Sequence, residues 1–210
     1  MTESNTKDFL VPMGFNLIAP PGWDKIDLRD ESMNDTILRI VDNSIGNLPS
    51  DLPKDDISKL RMEMFKRLKK AARKAARANG LLLYLPVERV RSTLAPASFV
   101  ISQVAGKGVS LQSNEVLSMV ASNRGSSESV DIDGSHGTRL ERVVPPLDDS
   151  EMNFPSRRIE YVLPLPGSSL PRWLTVTFST VGDGNPDSEF TSALVDLFDA
   201  VMTTFRWSYE

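Results

Sequence analysis

The 210-residue chain contains no cysteine. That one absence excludes disulfides, thiolate metal sites, cysteine nucleophiles and thiol redox switching. Histidine is almost missing as well. His136 is the only one, so a zinc site with two or three imidazoles cannot be assembled within one chain. Long apolar runs are lacking. The longest lies around Leu81–Pro86, far short of the roughly 18–20 residues that span a bilayer. The opening MTESNTKDFLVPMG is polar and acidic and has no long apolar stretch, so it does not read as a secretory signal. The expected compartment is the cytoplasm. No large excess of charge exists either: 24 Lys and Arg face 28 Asp and Glu, a net of −4. Overall charge therefore gives no reason to expect nucleic-acid binding, although a local patch could still provide it.

What is present describes a globular protein. The chain is 40% hydrophobic and 25% charged, enough apolar mass to offset the entropy of ordering. Residues 1–8 read as a loose tail and residues 9–210 as a single domain. Phe9–Pro21 reads as a short extended segment with Phe15, Leu17 and Ala19 on one face. Pro20-Pro21-Gly22 forces a turn, and Trp23 follows as a core anchor. Apolar residues at three- and four-residue spacing predict a helix from about Ser32 to Ile45. A longer helix runs from about Lys54 to Ala78, with the stripe Ile57, Leu60, Met64, Leu68, Ala71/Ala72 and Ala75. Gly80 suits its left-handed cap. The alanines imply close packing near the C-terminal end of this helix.

Strands are expected at Leu81–Val90, Pro96–Gly106, Ser129–Ile132, Thr138–Val144, Arg157–Leu165 and Arg172–Thr180. Gln112–Asn123 reads as a short helix, broken at Gly125–Ser127. Asp133-Gly134 is a strong hairpin dipeptide. Ser188–Met202 is a helix with the stripe Phe190, Leu194, Leu197/Phe198 and Val201, and Thr203–Trp207 a closing strand. Consecutive hairpins demand antiparallel pairing. The expected fold is α+β, a three-layer α/β/α sandwich around a mostly antiparallel sheet.

Two segments carry a family resemblance. Pro20-Pro21-Gly22-Trp23 after a first strand resembles the opening of PsbP-like domains. The ending does too: the strand Trp173–Thr180, an acidic loop, a helix with Leu194, Leu197 and Phe198, then Phe205-Arg206-Trp207. The chain resembles an uncharacterised bacterial branch of that superfamily, which also contains a Ran-binding nuclear-import factor. The resemblance covers the two ends and not the middle. It implies the same sandwich fold and a role as adaptor, assembly factor or binding domain, and it brings no catalytic residue.

The most distinctive feature is the basic helix, residues 54–79. Nine cations lie between Lys59 and Arg77 against one acid, Glu63, so this stretch carries +8 and the remainder of the chain −12. The candidate contacts to an anionic partner are Lys66, Arg67, Lys69, Lys70, Arg73, Lys74 and Arg77. Such a face docks on an anionic lipid surface, a nucleic-acid backbone or an acidic protein, or is a solvated outer face favoured by the helix dipole. Self-association through an acidic patch of another copy is a further option.

Other constellations are weaker. Asp131, Asp133, Ser135 and His136 sit together around one turn. Their spacing implies no base–orienter geometry, and His136 is expected at a hairpin tip. Asp148, Asp149 and Glu151 read as a solvated acidic loop, and Gly106-Lys107-Gly108 lacks a phosphate-loop pattern. No cofactor or metal is expected. The leading expectation is a non-enzymatic protein-binding or scaffold domain. Its alternatives are anionic-surface binding through residues 59–77, and a carrier or enzyme with a pocket between sheet and helices.

Overall fold

The computed structural model describes residues 11–46, 53–89, 94–105, 125–146, 154–168 and 172–209. The expectations for the 1–8 tail, the 112–123 helix, the 106–108 glycine pair and the acidic loop at Asp148, Asp149 and Glu151 lie outside these residues.

Nine strands and three helices are described: β1 (Gly14–Asn16), β2 (Trp23–Asp27), α1 (Met33–Gly46), α2 (Lys54–Arg77), β3 (Gly80–Pro86), β4 (Ala97–Ala105), β5 (Gly125–Ile132), β6 (Ser135–Val144), β7 (Ser156–Pro164), β8 (Arg172–Thr180), α3 (Glu189–Thr203) and β9 (Arg206–Ser208). Seven strands form one sheet in the order β2-β3-β4-β8-β7-β6-β5, every pair antiparallel. β1 and β9 form a separate two-stranded ribbon that places Phe15 opposite Trp207. The class is α+β, with helices packed against the sheet.

Period-two alternation in the central strands builds two cores. On one face Phe99, Ile101, Ile159, Tyr161, Leu163, Leu174, Val176 and Phe178 meet Leu194, Val195, Phe198, Val201 and Met202 of α3. Phe198 is the hub. Its ring centroid lies 4.8 Å from that of Phe178 and 5.8 Å from those of Phe99 and Tyr161. Trp23 joins this core through Phe99, as expected of an anchor beside a tight turn. On the other face Ile26, Leu28 and Leu83 meet Ile37, Ile40 and Val41 of α1 and Ala72 of α2. Helices thus cover both faces, the second at the β2-β3-β4 end.

Turn chemistry sets the registers. Asp133 and Gly134 both have positive φ, 49° and 76°, so the β5–β6 hairpin closes with the two-residue turn that this dipeptide favours. Gly182 is also required before α3. Its φ is +54°, and an added Cβ would lie 1.8 Å from Thr191 Oγ1.

Several expectations are corrected. The left-handed residue after α2 is Asn79 (φ 60°), not Gly80. Gly80 is needed because a Cβ there would sit 2.7 Å from both the Ala75 carbonyl oxygen and Leu28 Cδ1. Strand β5 opens at Gly125, four residues earlier than expected. β1 is only three residues long, and the closing strand begins at Arg206 because helix α3 continues to Thr203. In α3, Phe190 and Leu197 are exposed, and Thr191 and Val195 take the buried positions. The Thr191 hydroxyl donates to the Asn185 carbonyl (2.8 Å), so a polar residue is satisfied inside. In α2, Leu60 and Ala71 face outward while Ala72 is fully buried.

Candidate functional site

α2 has 24 residues and is about 36 Å long at the standard helical rise. Its apolar stripe of Met64, Phe65, Leu68, Ala72, Ala75 and Ala76 packs into the second core, and that fixes which side faces out. The small residues bring the C-terminal half close to the sheet, in agreement with the alanine pattern.

The cations fall into two groups. Three have carboxylate partners. Arg61 donates from Nε and Nη2 to both carboxylate oxygens of Asp42 on α1. This bidentate pair holds Asp42 below its ordinary carboxylate pKa, the guanidinium hydrogen bond outweighing the opposing effect of burial. Arg67 pairs with Glu63 one turn earlier, and Lys59 approaches Asp56 at 3.9 Å. The second group is Lys66, Lys69, Lys70, Arg73, Lys74 and Arg77. Together they are the described residues that line a concavity of about 530 Å³. Among the described residues none of the six has a carboxylate partner. The Lys69 ammonium stands 5.2 Å from the centroid of the Phe65 ring, within cation–π range. Their spacing of three and four residues puts them on one face along about 16 Å of helix. Of the seven cations expected to meet an anionic partner, six are gathered here and Arg67 is turned to Glu63.

The Ser135–His136 neighbourhood comes apart. The two residues point to opposite faces of β6. Ser135 is buried; its hydroxyl accepts from Trp207 Nε1 (2.8 Å) and donates to the Pro164 carbonyl (3.2 Å). Asp133 accepts the Trp207 backbone N–H (2.7 Å). These bonds tie β9 to the hairpin and leave Ser135 no free nucleophile. His136 sits at the hairpin tip, 88% exposed, with Nδ1 3.0 Å from Asp131.

Inward charges, which the strand alternation did not single out, form the densest polar cluster. Asp199 of α3 accepts from Arg139 Nε (3.0 Å), Arg139 Nη2 (2.8 Å) and the Tyr161 hydroxyl (2.9 Å). Arg139 also donates to Glu141 (2.9 Å), and Glu141 pairs with Arg157. Arg157 in turn donates to Ser192 at 3.1 Å. Burial pushes the Glu141 carboxyl up, but the guanidiniums of Arg157 and Arg139 outweigh it and hold the group below its ordinary value. Burial, with Asp199 adjacent, pushes the Tyr161 hydroxyl well up. Every member is occupied by another, so the cluster reads as a clamp between α3 and the sheet. The signal for it was a parity in the sequence: Arg157 shares the face of the buried Ile159, Tyr161 and Leu163 on β7, and Arg139 and Glu141 share that of the buried Ser135 on β6.

On the opposite face of β7, burial lowers the Arg158 guanidinium pKa, with the neighbouring Arg142 adding to the effect. Between sheet and α3, the gap among Trp23, Phe99, Phe178, Leu194, Leu197 and Phe198 measures about 10 Å³, room for one water at most. Among the described residues there is no group of three or more His, Asp or Glu placed to hold a metal, and no helix is long and apolar enough to cross a membrane.

No family model matches the chain, and no curated protein is similar to it in sequence. Among solved structures it is similar to LpqN of Mycobacterium tuberculosis, described as involved in cell envelope biogenesis. The TM-score is 0.48 at 10% identity, over 93% of this chain and 86% of that one. A likeness this slight carries nothing about function.

Proposed function

We propose that this chain is a binding domain that docks on a polyanionic partner through the outer face of α2. The observation that carries the reading is the division of labour among the helix cations. Arg61, Arg67 and Lys59 have partners within the fold, whereas six neighbours line one concavity with no carboxylate among its described residues. Holding six like charges together is unfavourable in the absence of a counter-charge. An anionic partner supplies that counter-charge. The PsbP-like resemblance, with its adaptor and assembly roles, supports the same class.

Retention on immobilised heparin tests it. A protein with net charge −4 is not expected to be held at neutral pH by overall charge. The unmodified chain should be retained at low salt and elute as ionic strength rises. Lys66→Glu/Lys70→Glu/Lys74→Glu should run through unretained, and Arg61→Ala, whose charge is already engaged by Asp42, should elute close to the unmodified protein. Absence of retention at low salt, or equal loss in both variants, would refute the proposal.

A further inference from the structure

The partner of this face can be narrowed. We propose that the six-cation face of α2 adsorbs to the headgroup plane of an anionic lipid bilayer, an inference that rests on the polyanion-docking reading above.

The first argument is what the face lacks. Its described lining residues are four lysines and two arginines. Lysine and arginine side chains only donate hydrogen bonds, so the described residues of the stripe can address guanine acceptors but include no Asn, Gln, Ser or Thr with which to read the other bases. The nearby ring, Phe65, is half-buried and covered by Lys69, so it offers no stacking platform for a single-stranded nucleic acid. A folded protein partner is disfavoured for another reason. Interface cores are depleted of lysine and anchored by aromatic residues in pockets, and this face has the opposite make-up. A fluid anionic surface demands neither base readout nor a fixed pocket, because its headgroups rearrange around ammonium groups wherever they lie.

The second argument is position. The apolar side of α2 is committed to the core, with Ala72 fully buried, so the helix cannot roll over and insert it. Adsorption by charge is the mode left, and the six cations lie on the side of α2 away from the stripe that packs into the core. The third is Met62. It is 58% exposed and lies one turn before Lys66 on the same side by helical spacing. An unbranched apolar side chain at the end of a cationic stripe can enter the headgroup boundary while the lysines stay at the phosphates. The −12 carried by the rest of the chain orients the domain, so that only this face approaches.

The experiment is co-sedimentation of the full chain with vesicles of phosphatidylcholine alone or with 30% (about one lipid in three) phosphatidylglycerol, beside duplex DNA at matched phosphate and the heparin column. Partition is expected on the anionic vesicles only, falling steeply with salt. Lys66→Glu/Lys70→Glu/Lys74→Glu should lower it by about 100-fold or more, from roughly fivefold per basic group near such a surface. Met62→Ser should lower vesicle partition about threefold or more and leave heparin elution unchanged, which a purely electrostatic polyanion site would not show. Circular dichroism confirms that both variants stay folded. Retention on heparin without partition on anionic vesicles, or tighter binding to the duplex, overturns the lipid assignment and leaves the docking reading intact. Equal partition on neutral vesicles also overturns it. Failure on heparin and vesicles alike overturns both.

Discussion

Replacing Asp199 by alanine should loosen the attachment of α3 to the sheet. The carboxylate accepts three hydrogen bonds, two from Arg139 and one from the Tyr161 hydroxyl. Breaking a fully buried ion pair costs about 3–5 kcal/mol and an exposed one about 0–1. This pair lies between those limits: the Arg139 side chain is 11% exposed and that of Asp199 31%. Arg139 keeps Glu141 and Glu128 as partners, so its charge is not orphaned. Tyr161 fares worse, because its buried hydroxyl loses its acceptor, at about 1–3 kcal/mol. Together these give roughly 2–3 kcal/mol, a fall in Tm of roughly 5–10 °C for a chain of this size. Urea unfolding followed by tryptophan fluorescence measures it, since Trp207 and Trp23 belong to the core that α3 covers. Tyr161→Phe alone should cost about 1 kcal/mol, and the double variant less than the sum, because both substitutions remove one shared bond. A loss below about 0.5 kcal/mol for Asp199→Ala, or strict additivity, would show that the cluster is solvated surface and not a clamp.

Further outcomes follow from the same contacts. Ser135→Ala leaves the Trp207 indole N–H without an acceptor in a buried site and should cost about 1–3 kcal/mol, whereas His136→Ala at the exposed tip should stay within about 0.5 kcal/mol; thermal melts of the two separate a structural lock from a reactive serine. Phe198→Ala removes the ring against which Phe99, Tyr161 and Phe178 pack and should cost about 3–5 kcal/mol by chemical denaturation. The folded pKa of Glu141 is depressed, so its contribution to stability is present above the unfolded carboxylate value of about 4.3 and is lost as pH falls through the folded value. Glu141→Gln should therefore be less stable at neutral pH and show a shallower loss on acidification, read from urea midpoints across pH 2–7 (about the carboxylate range).

Much of this fold is written in local chemistry. Asp133-Gly134 specifies its hairpin because both residues adopt positive φ readily, and the alternation in Arg172–Thr180 declares which side chains face the core. The stripe on α2 is equally local: residues three and four apart share a helix face in any fold, so the clustering of Lys66, Lys70, Arg73 and Arg77 was visible as spacing alone. The exclusion of cysteine chemistry and of a zinc site with several imidazoles needed only composition.

Tertiary structure decided what spacing cannot encode. Nothing near Phe99 announces that β4 lies against β8, with Phe178 opposite it, because that pairing closes a long loop and leaves no local mark. The same holds for the ribbon of β1 and β9 at opposite ends of the chain. Thr191 displaced Phe190 from the buried side of α3 because a carbonyl across the loop satisfied its hydroxyl. The pairing of the helix cations was decided in the same way. Whether a cation is spent or free depends on the position of the nearest carboxylate in space, and Asp42 reaches Arg61 only because α1 and α2 pack side by side. Charge neutralisation acts over a few ångströms of space and not along the chain, and that is why, of the nine cations between Lys59 and Arg77, three meet a carboxylate and six have none among the described residues.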